Sequence, residues 1–582
     1  MAMDVRRLLD DLAGVAAREV TAWTGAGLSV EGPSSLPTGK ELTQRIFDAF
    51  FLPGTLDTIE ALHRAIGSID QPICPDLPPS IDPRPPRLET VLGVAARVHG
   101  AQAIDQSIPD VADAEPNRLH RFFARHLALG GGHLTANFDR CIERAAGTAT
   151  WPAPNLLHFH GAVGGGDELG ATLARIEKGF PLDVATRFLT LLTSRPLVLV
   201  AGYSGSDFFD VNAAIAALPP NALRGHHVIW LSHSAHTPHV IVPRPEDPAL
   251  TLFDILRARG AELTVLCGPT DFLLRRLADQ WGLPPLGSPA PRAPVRPSIP
   301  SDDTKRPEAS FHLYLDVGLI GEVRSLLPTV APALPAEQVR AVTSAVLWEA
   351  GRWNEVRRLW WRARPRTDIT RVERIGASLW VQGRYMPALL WLDRYRRRVG
   401  GPARKTLAET EGRVLEHMLR TPDLRWLARR LVPTVLTELG HADQSSGIHL
   451  YRRRSDLTTS LAGASRPPHH ALTSSEWFGQ AGNVLAWINY RHRVYRDSYQ
   501  EGGDTDELRW NYRELQQHYR AAGSTSGAAR VHLLPGAHRV FSVWEVVASV
   551  CSLQYGWWQR VRIVANRVLR PQFSGRSSAS RW

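Results

Sequence analysis

The first 280 residues alternate short apolar runs with stretches of helical period. Glu19-Val-Thr-Ala-Trp-Thr24, His133-Leu-Thr-Ala-Asn137, Leu156-Leu-His-Phe-His160, Pro196-Leu-Val-Leu-Val-Ala201, His227-Val-Ile-Trp-Leu231 and Glu262-Leu-Thr-Val-Leu266 read as strands. Residues 4–18 and 38–49, and most of 88–126, carry helical periodicity, and Thr38 with Glu41 marks a helix start. Short apolar strands without strict alternation, separated by helices, predict a parallel sheet covered on both faces, hence an α/β, doubly wound domain. Residues 71–87 are proline-rich and predict a surface loop.

The pattern changes after residue 282. Residues 283–307 contain eight prolines, which sustain neither helix nor inner strand, so this stretch predicts an extended linker or a strap laid over a surface. Beyond it the period changes to that of helices. Leu347-Trp-Glu-Ala-Gly-Arg-Trp353 is echoed 32 residues later by Leu379-Trp-Val-Gln-Gly-Arg-Tyr385, a spacing close to that of tetratricopeptide helix pairs, with an irregular bundle as the alternative. Residues 441–475 mix Gly, Ser, His and Pro and interrupt the helices, and the end should fray. The expected organisation is an α/β domain over 1–282, a linker over 283–310, helical regions over 311–440 and 441–570, and a tail over 571–582.

Charge sharpens this division. Residues 1–280 hold 24 Lys and Arg against 31 Asp and Glu, whereas the remainder holds 44 against 26, so a mildly acidic half precedes a strongly basic one. The basic half fits nucleic acid or an acidic protein surface, or an arginine-rich helical exterior with no such role. Four dispersed cysteines, Cys74, Cys141, Cys267 and Cys551, contain no CxxC pair, which argues against a zinc ribbon or disulfide scaffold and for a reducing cytoplasm. Acidic residues near the start and the lack of an 18-residue apolar run argue against export and membrane spanning.

Candidate chemistry begins at Trp23-Thr-Gly25-Ala26-Gly27-Leu-Ser29. Glycines directly after a strand allow a tight turn and close approach of backbone N–H groups to a pyrophosphate, although a turn needing positive φ explains them equally. Further along stand Thr135-Ala-Asn137-Phe-Asp139, His160-Gly161, Gly202-Tyr-Ser204-Gly-Ser-Asp207 and Cys267-Gly268-Pro-Thr-Asp271. In this order the segments resemble the sirtuin superfamily, in the form found in prokaryotic antiphage defence proteins, over roughly residues 10–280.

The resemblance implies NAD+ as substrate, with Asn137, His160 and Asp139 as catalytic residues. It also implies Gly25, Ala26, Gly27, Ser29, Gly202, Ser204, Asp207 and Gly268 as cofactor-binding residues. The chemistry suits these types. An uncharged amide at Asn137 grips a ribose hydroxyl or water without trapping a cation, and His160 accepts a proton near neutral pH. Asp139 supports the loop or nicotinamide recess, and equally caps the helix that follows. His158 would share a sheet face with His160 if the strand were extended; the resemblance and Gly161 favour His160. Ser29 and Ser204 contact phosphate or ribose, or are a turn serine and a helix cap. Asp207 and Asp210 recognise ribose or occupy a first helical turn.

Two departures from protein-deacylating sirtuins matter. Residues 162–195 lack the four-cysteine zinc module, and the first glycine loop lacks the Pro-Asp-Phe continuation. No metal is expected on this reading, and water becomes the acceptor. The implied activity is NAD+ glycohydrolysis to nicotinamide and ADP-ribose, acting in antiphage defence by NAD depletion. A homo-oligomer is expected, with the C-terminal region binding an activating phage protein, a partner defence protein or nucleic acid. The alternatives are deacylation or ADP-ribosyl transfer, or an NAD-regulated nucleic-acid-binding module such as the partner of a short Argonaute.

Overall fold

The computed structural model describes residues 5–67, 86–147, 155–293, 302–440 and 505–532, with short interruptions inside the second to fourth of these, and parts of 457–492 and 543–555. The proline-rich stretch 71–85, most of 441–475 and the tail 571–582 lie outside the described residues. The chain divides into two compact units, Met1–Leu56 with Arg87–Ala309, and Asp57–Pro86 with Ser310–Trp582.

The first unit is built on a seven-stranded sheet, β1 Val20–Thr24, β2 Gly132–Thr135, β3 Leu156–His158, β4 Leu197–Ala201, β5 His227–His233, β6 His239–Ile241 and β7 Glu262–Gly268. The strand order is β3-β2-β1-β4-β5-β7-β6. Every pairing is parallel except β6 on β7, so the expected parallel sheet gains an antiparallel edge strand. All five residues of β1 and of β4 are buried, which is why their sequences read as continuous runs rather than alternating ones.

Successive side chains point to opposite faces, and each face has its own core. Trp23, Leu134, Leu157, Val198, Val200 and Trp230 meet Phe188, Val211 and Phe253 on one side. Val20, Ala22, Leu197, Leu199 and Ile229 meet Leu8, Phe123 and Leu274 on the other. Each such aliphatic or aromatic burial contributes about 1.5–3 kcal/mol relative to exposure. Part of the proline-rich stretch lies on this unit: Leu286 joins the second core, Ala290 bridges Gly32, and Arg292 pairs with Glu41 at 2.6 Å.

Register places the strand ends together. Thr24 lies opposite both Thr135 and Ala201, and Thr135 opposite His158. From β1 the chain moves outward to β2 and β3, then returns to β4 on the other flank, so the strand order reverses between β1 and β4. In open α/β sheets, ligands bind in the crevice at the carboxyl ends beside such a reversal.

The second unit is helical. Helices Ile320–Val330, Ala336–Glu349, Trp353–Trp361, Ile369–Val381, Tyr385–Arg396, Gly401–Leu419 and Arg425–Leu439 each pack on the next. The 32-residue echo corresponds to two helix hairpins whose turns carry Gly351 at φ +72° and Gly383 at φ +76°, left-handed conformations that a side chain would strain. Among the described residues, no helix is long and apolar enough to cross a membrane.

Candidate functional site

The glycine loop after β1 is held by backbone contacts. Gly25 N–H donates to Ala201 O at 3.2 Å, Gly27 N–H to Gly202 O at 2.9 Å, and Leu28 N–H to Gly25 O at 2.9 Å. A Cβ at Gly25 would stand 2.7 Å from Gly202 O, and one at Gly27 would stand 2.8 Å from Gly202 Cα. Gly202 itself has φ +65°. The three glycines let two loops touch backbone to backbone, and the amides of Gly25 and Gly27 are spent on that contact. Ala26 and Ser204 are exposed on these loops. Gly268 ends β7, three strands from β1, and packs on Pro238.

Ser29 is buried and joins a compact polar cluster. Its hydroxyl donates to Asp139 Oδ2 at 2.8 Å. Asn137 Nδ2 donates to Ser29 Oγ at 3.0 Å and to Asp139 Oδ2 at 3.1 Å. His120, from helix Arg118–Ala128, completes the cluster, with Nε2 3.1 Å from Ser29 Oγ. Its Nδ1 accepts from the Asn117 N–H at 3.2 Å, so Nε2 carries the proton of the neutral ring and donates to Ser29. Burial lowers the His120 pKa and keeps the ring neutral. Burial opposes the Asp139 charge, but the Ser29 hydroxyl and the Cys141 N–H that donate to it hold its pKa below the ordinary carboxylate value. Asp139 Oδ1 accepts that Cys141 N–H at 3.1 Å, so the aspartate also anchors the start of helix Cys141–Ala145.

This wiring defines what Asn137 has left. Its NH2 is committed, whereas Oδ1 is buried without a partner. Exchanging the two amide atoms would set Oδ1 against the Asp139 carboxylate, so the orientation is enforced. Asn137 therefore offers an acceptor and no spare donor.

A second cluster surrounds His160. Strand β3 ends at His158, and His160 follows in a turn, its Nε2 3.0 Å from Asp210 Oδ2 with both residues buried. Asp210 Oδ1 also accepts the Val211 N–H at 2.6 Å, capping helix Val211–Ala216. Burial disfavours the imidazolium, but the Asp210 carboxylate, with Asp207 behind it, raises the His160 pKa to about 9. Asp207 accepts a hydrogen bond from Tyr203, and burial raises its own pKa. Tyr203 in turn stacks against Trp23 with ring centroids 5.0 Å apart.

His158 has a different environment. Its Nδ1 lies 2.8 Å from the Asn137 carbonyl and its Nε2 3.0 Å from Glu143 Oε1. Both partners are acceptors, so both ring nitrogens donate. Burial opposes that charge, yet Glu143 raises the pKa above its ordinary value. His158 is a charged clamp on the Asn137 loop and has no nitrogen left to accept a proton.

Ser29, Asn137 and Asp139 thus come together, and His160 and Asp207 come together, around Asp210, Tyr203 and His120. The loops are neighbours, since Val163 N–H donates to Phe138 O at 2.9 Å. The Asn137 and His160 side chains share no hydrogen bond with each other; each is held by its own cluster. His120 and Glu143 were not legible as site residues, because their partners lie far along the chain or in a loop whose path the sequence leaves open.

The expectation of a protein without metal requires correction. His120, Asp139 and Cys141 are all buried, and one ligand atom from each lies within 4.8 Å of the others, a set able to hold a metal ion. Burial and the adjacent Asp139 push the Cys141 thiol well above its ordinary pKa, so ligation there would displace a tightly held proton. No family model matches this chain, and no curated protein matches it significantly.

Proposed function

We propose that the sheet unit binds NAD+ at the carboxyl ends of β1, β2, β3 and β4 and hydrolyses the bond between nicotinamide and ribose. The observation that carries this reading is the pairing of an acceptor-only amide, Asn137 Oδ1, with a buried acid-base dyad, His160–Asp210, on adjoining loops beside the strand-order reversal. Asn137 accepts a hydrogen bond from a ribose hydroxyl and adds no positive charge near an oxocarbenium-like centre. His160, once deprotonated, takes the proton from water or from a ribose hydroxyl, and Asp210 stabilises the imidazolium that forms. Water adds to the anomeric carbon, and the C–N bonding electrons leave with nicotinamide. The products are nicotinamide, ADP-ribose and one proton.

A positive charge on bound nicotinamide riboside would lower the His160 pKa toward the working range. The glycine pair serves this site by fixing the two loops rather than by donating to phosphate. The sirtuin-like motifs support the same reading and extend it to a role in antiphage defence by NAD depletion, with the helical unit as the sensing part. Product analysis by chromatography tests the chemistry. Equimolar nicotinamide and ADP-ribose are expected; nicotinamide accompanied by ADP-ribosylated protein or an acylated ADP-ribose would replace hydrolysis by transfer.

A further inference from the structure

The helical unit contains a second feature of interest, remote in sequence from these motifs. An open cavity of about 510 Å³ is lined by residues of helices Ala336–Glu349 and Trp353–Trp361 and the turn that follows. This volume falls within the range of about 300–1,000 Å³ usual for small-molecule sites. Three arginines line it, Arg340, Arg358 and Arg362. Leu347, Leu359 and Ala363 supply an apolar wall.

The charge there is unbalanced. Glu355 is the acid at the cavity, and it is already engaged by Arg352 through hydrogen bonds of 2.6 and 2.5 Å. Among the described residues, none of the three lining arginines has a carboxylate partner. Arg340 instead lies over the Trp360 ring, its Cζ 5.8 Å from the centroid, which holds the side chain across the gap between the helices. Arg358 and Arg362 are one helical turn apart, a like-charge spacing that is unfavourable without an anion. The carboxyl end of helix Trp353–Trp361 offsets only about half an elementary charge. Three arginines without a carboxylate partner among the described residues therefore stand at a cavity with an apolar wall.

We propose that this cavity binds a small phosphate-bearing organic anion of mononucleotide size, the guanidiniums holding phosphate oxygens and the Leu347–Leu359 wall holding the organic part. Binding of a duplex through its phosphates would leave the apolar wall without a role. The site is independent of the proposed NAD+ chemistry.

The test is calorimetric titration of the full-length protein at low salt with uridine monophosphate and with uridine, which do not share the adenine half of NAD+. The measurements are made on wild type, Arg358→Ala and the double variant Arg340→Ala/Arg362→Ala. Uridine monophosphate should bind the arginine variants about ten- to a hundredfold more weakly than wild type, while uridine should bind wild type much more weakly than the monophosphate. Arg358 is exposed, so Arg358→Ala should melt as wild type does and its loss of binding is not a loss of fold. Equal binding of the monophosphate by Arg358→Ala, or uridine binding as tightly as the monophosphate, would overturn the proposal. Displacement of the monophosphate by an equal concentration of a single-stranded oligonucleotide would overturn it in favour of a nucleic-acid surface.

Discussion

His160 Nε2 stands 3.0 Å from Asp210 Oδ2, and this buried pair sets the protonation state of the site. With its pKa raised to about 9, His160 is an imidazolium at neutral pH in the unliganded protein and becomes a base only as it loses that proton. NAD+ hydrolysis should therefore rise with pH toward a midpoint near 9 in the free enzyme. Asp210→Asn should lower the midpoint, because burial is then opposed only by the more distant charges of Asp207 and Glu89. An NMR titration of the His160 ring and a pH profile of kcat/KM check this; an unchanged midpoint in Asp210→Asn would remove Asp210 from the site's electrostatics.

The same pair couples stability to pH. A histidine whose folded pKa is raised from 6.5 to about 9 contributes stability that is complete below pH 6.5 and lost as pH rises through 9. Urea midpoints should fall between pH 6.5 and 9 in wild type more than in Asp210→Asn. Parallel profiles would contradict the assignment.

Gly25→Ala and Gly202→Ala should each destabilise the sheet unit by about 1–3 kcal/mol through overpacking. The Cβ would meet backbone in both cases, Gly202 O at 2.7 Å and Leu28 N at 2.6 Å, so a rotamer change gives no relief. Gly39→Ala is the control, since nothing lies within 4 Å of the added carbon. It should be neutral or slightly stabilising by chemical denaturation.

In the helical unit, buried Arg396 binds three carboxylates: Glu411 at 2.8 Å, Glu438 at 2.9 Å and Asp393 at 2.6 Å. Burial already pushes the Glu411 carboxyl up to about 7 despite this arginine. Arg396→Leu should cost about 3–5 kcal/mol at neutral pH, because it leaves the buried Glu411 without a cation, whereas Glu438 keeps Arg404 and Asp393 keeps Arg397. The loss should shrink as pH falls below 7 and Glu411 takes up a proton. Thermal melts at pH 5 and pH 8 measure the difference.

Much of the sheet is legible in the sequence because its strands are short, apolar and buried on both faces. The Thr38–Glu41 cap is legible for a local reason: both partners lie within one turn, and the structure shows each side chain bonded to the other's backbone. β6 is different. It is three half-exposed or exposed residues after a proline, paired only by virtue of β7, and nothing in His239-Val-Ile241 announces it.

The site shows the same division. Asn137, Asp139 and Ser29 stand in local motifs, yet the His120 that joins them is 91 residues from Ser29, and Asp210 is 50 residues from His160. The glycine loop misleads for a further reason. A turn that presents amides to phosphate and a turn that packs on another backbone call for the same residue, and only the position of Gly202 distinguishes them.

The central claim is tested most directly by measuring nicotinamide release and NAD+ affinity together in wild type, Asn137→Ala and His160→Ala. The account predicts release by wild type and a loss of at least about a hundredfold in kcat in each variant, with NAD+ still bound. Release at the wild-type rate from both variants would contradict it, as would wild-type protein that binds NAD+ and leaves it intact from pH 6 to 10.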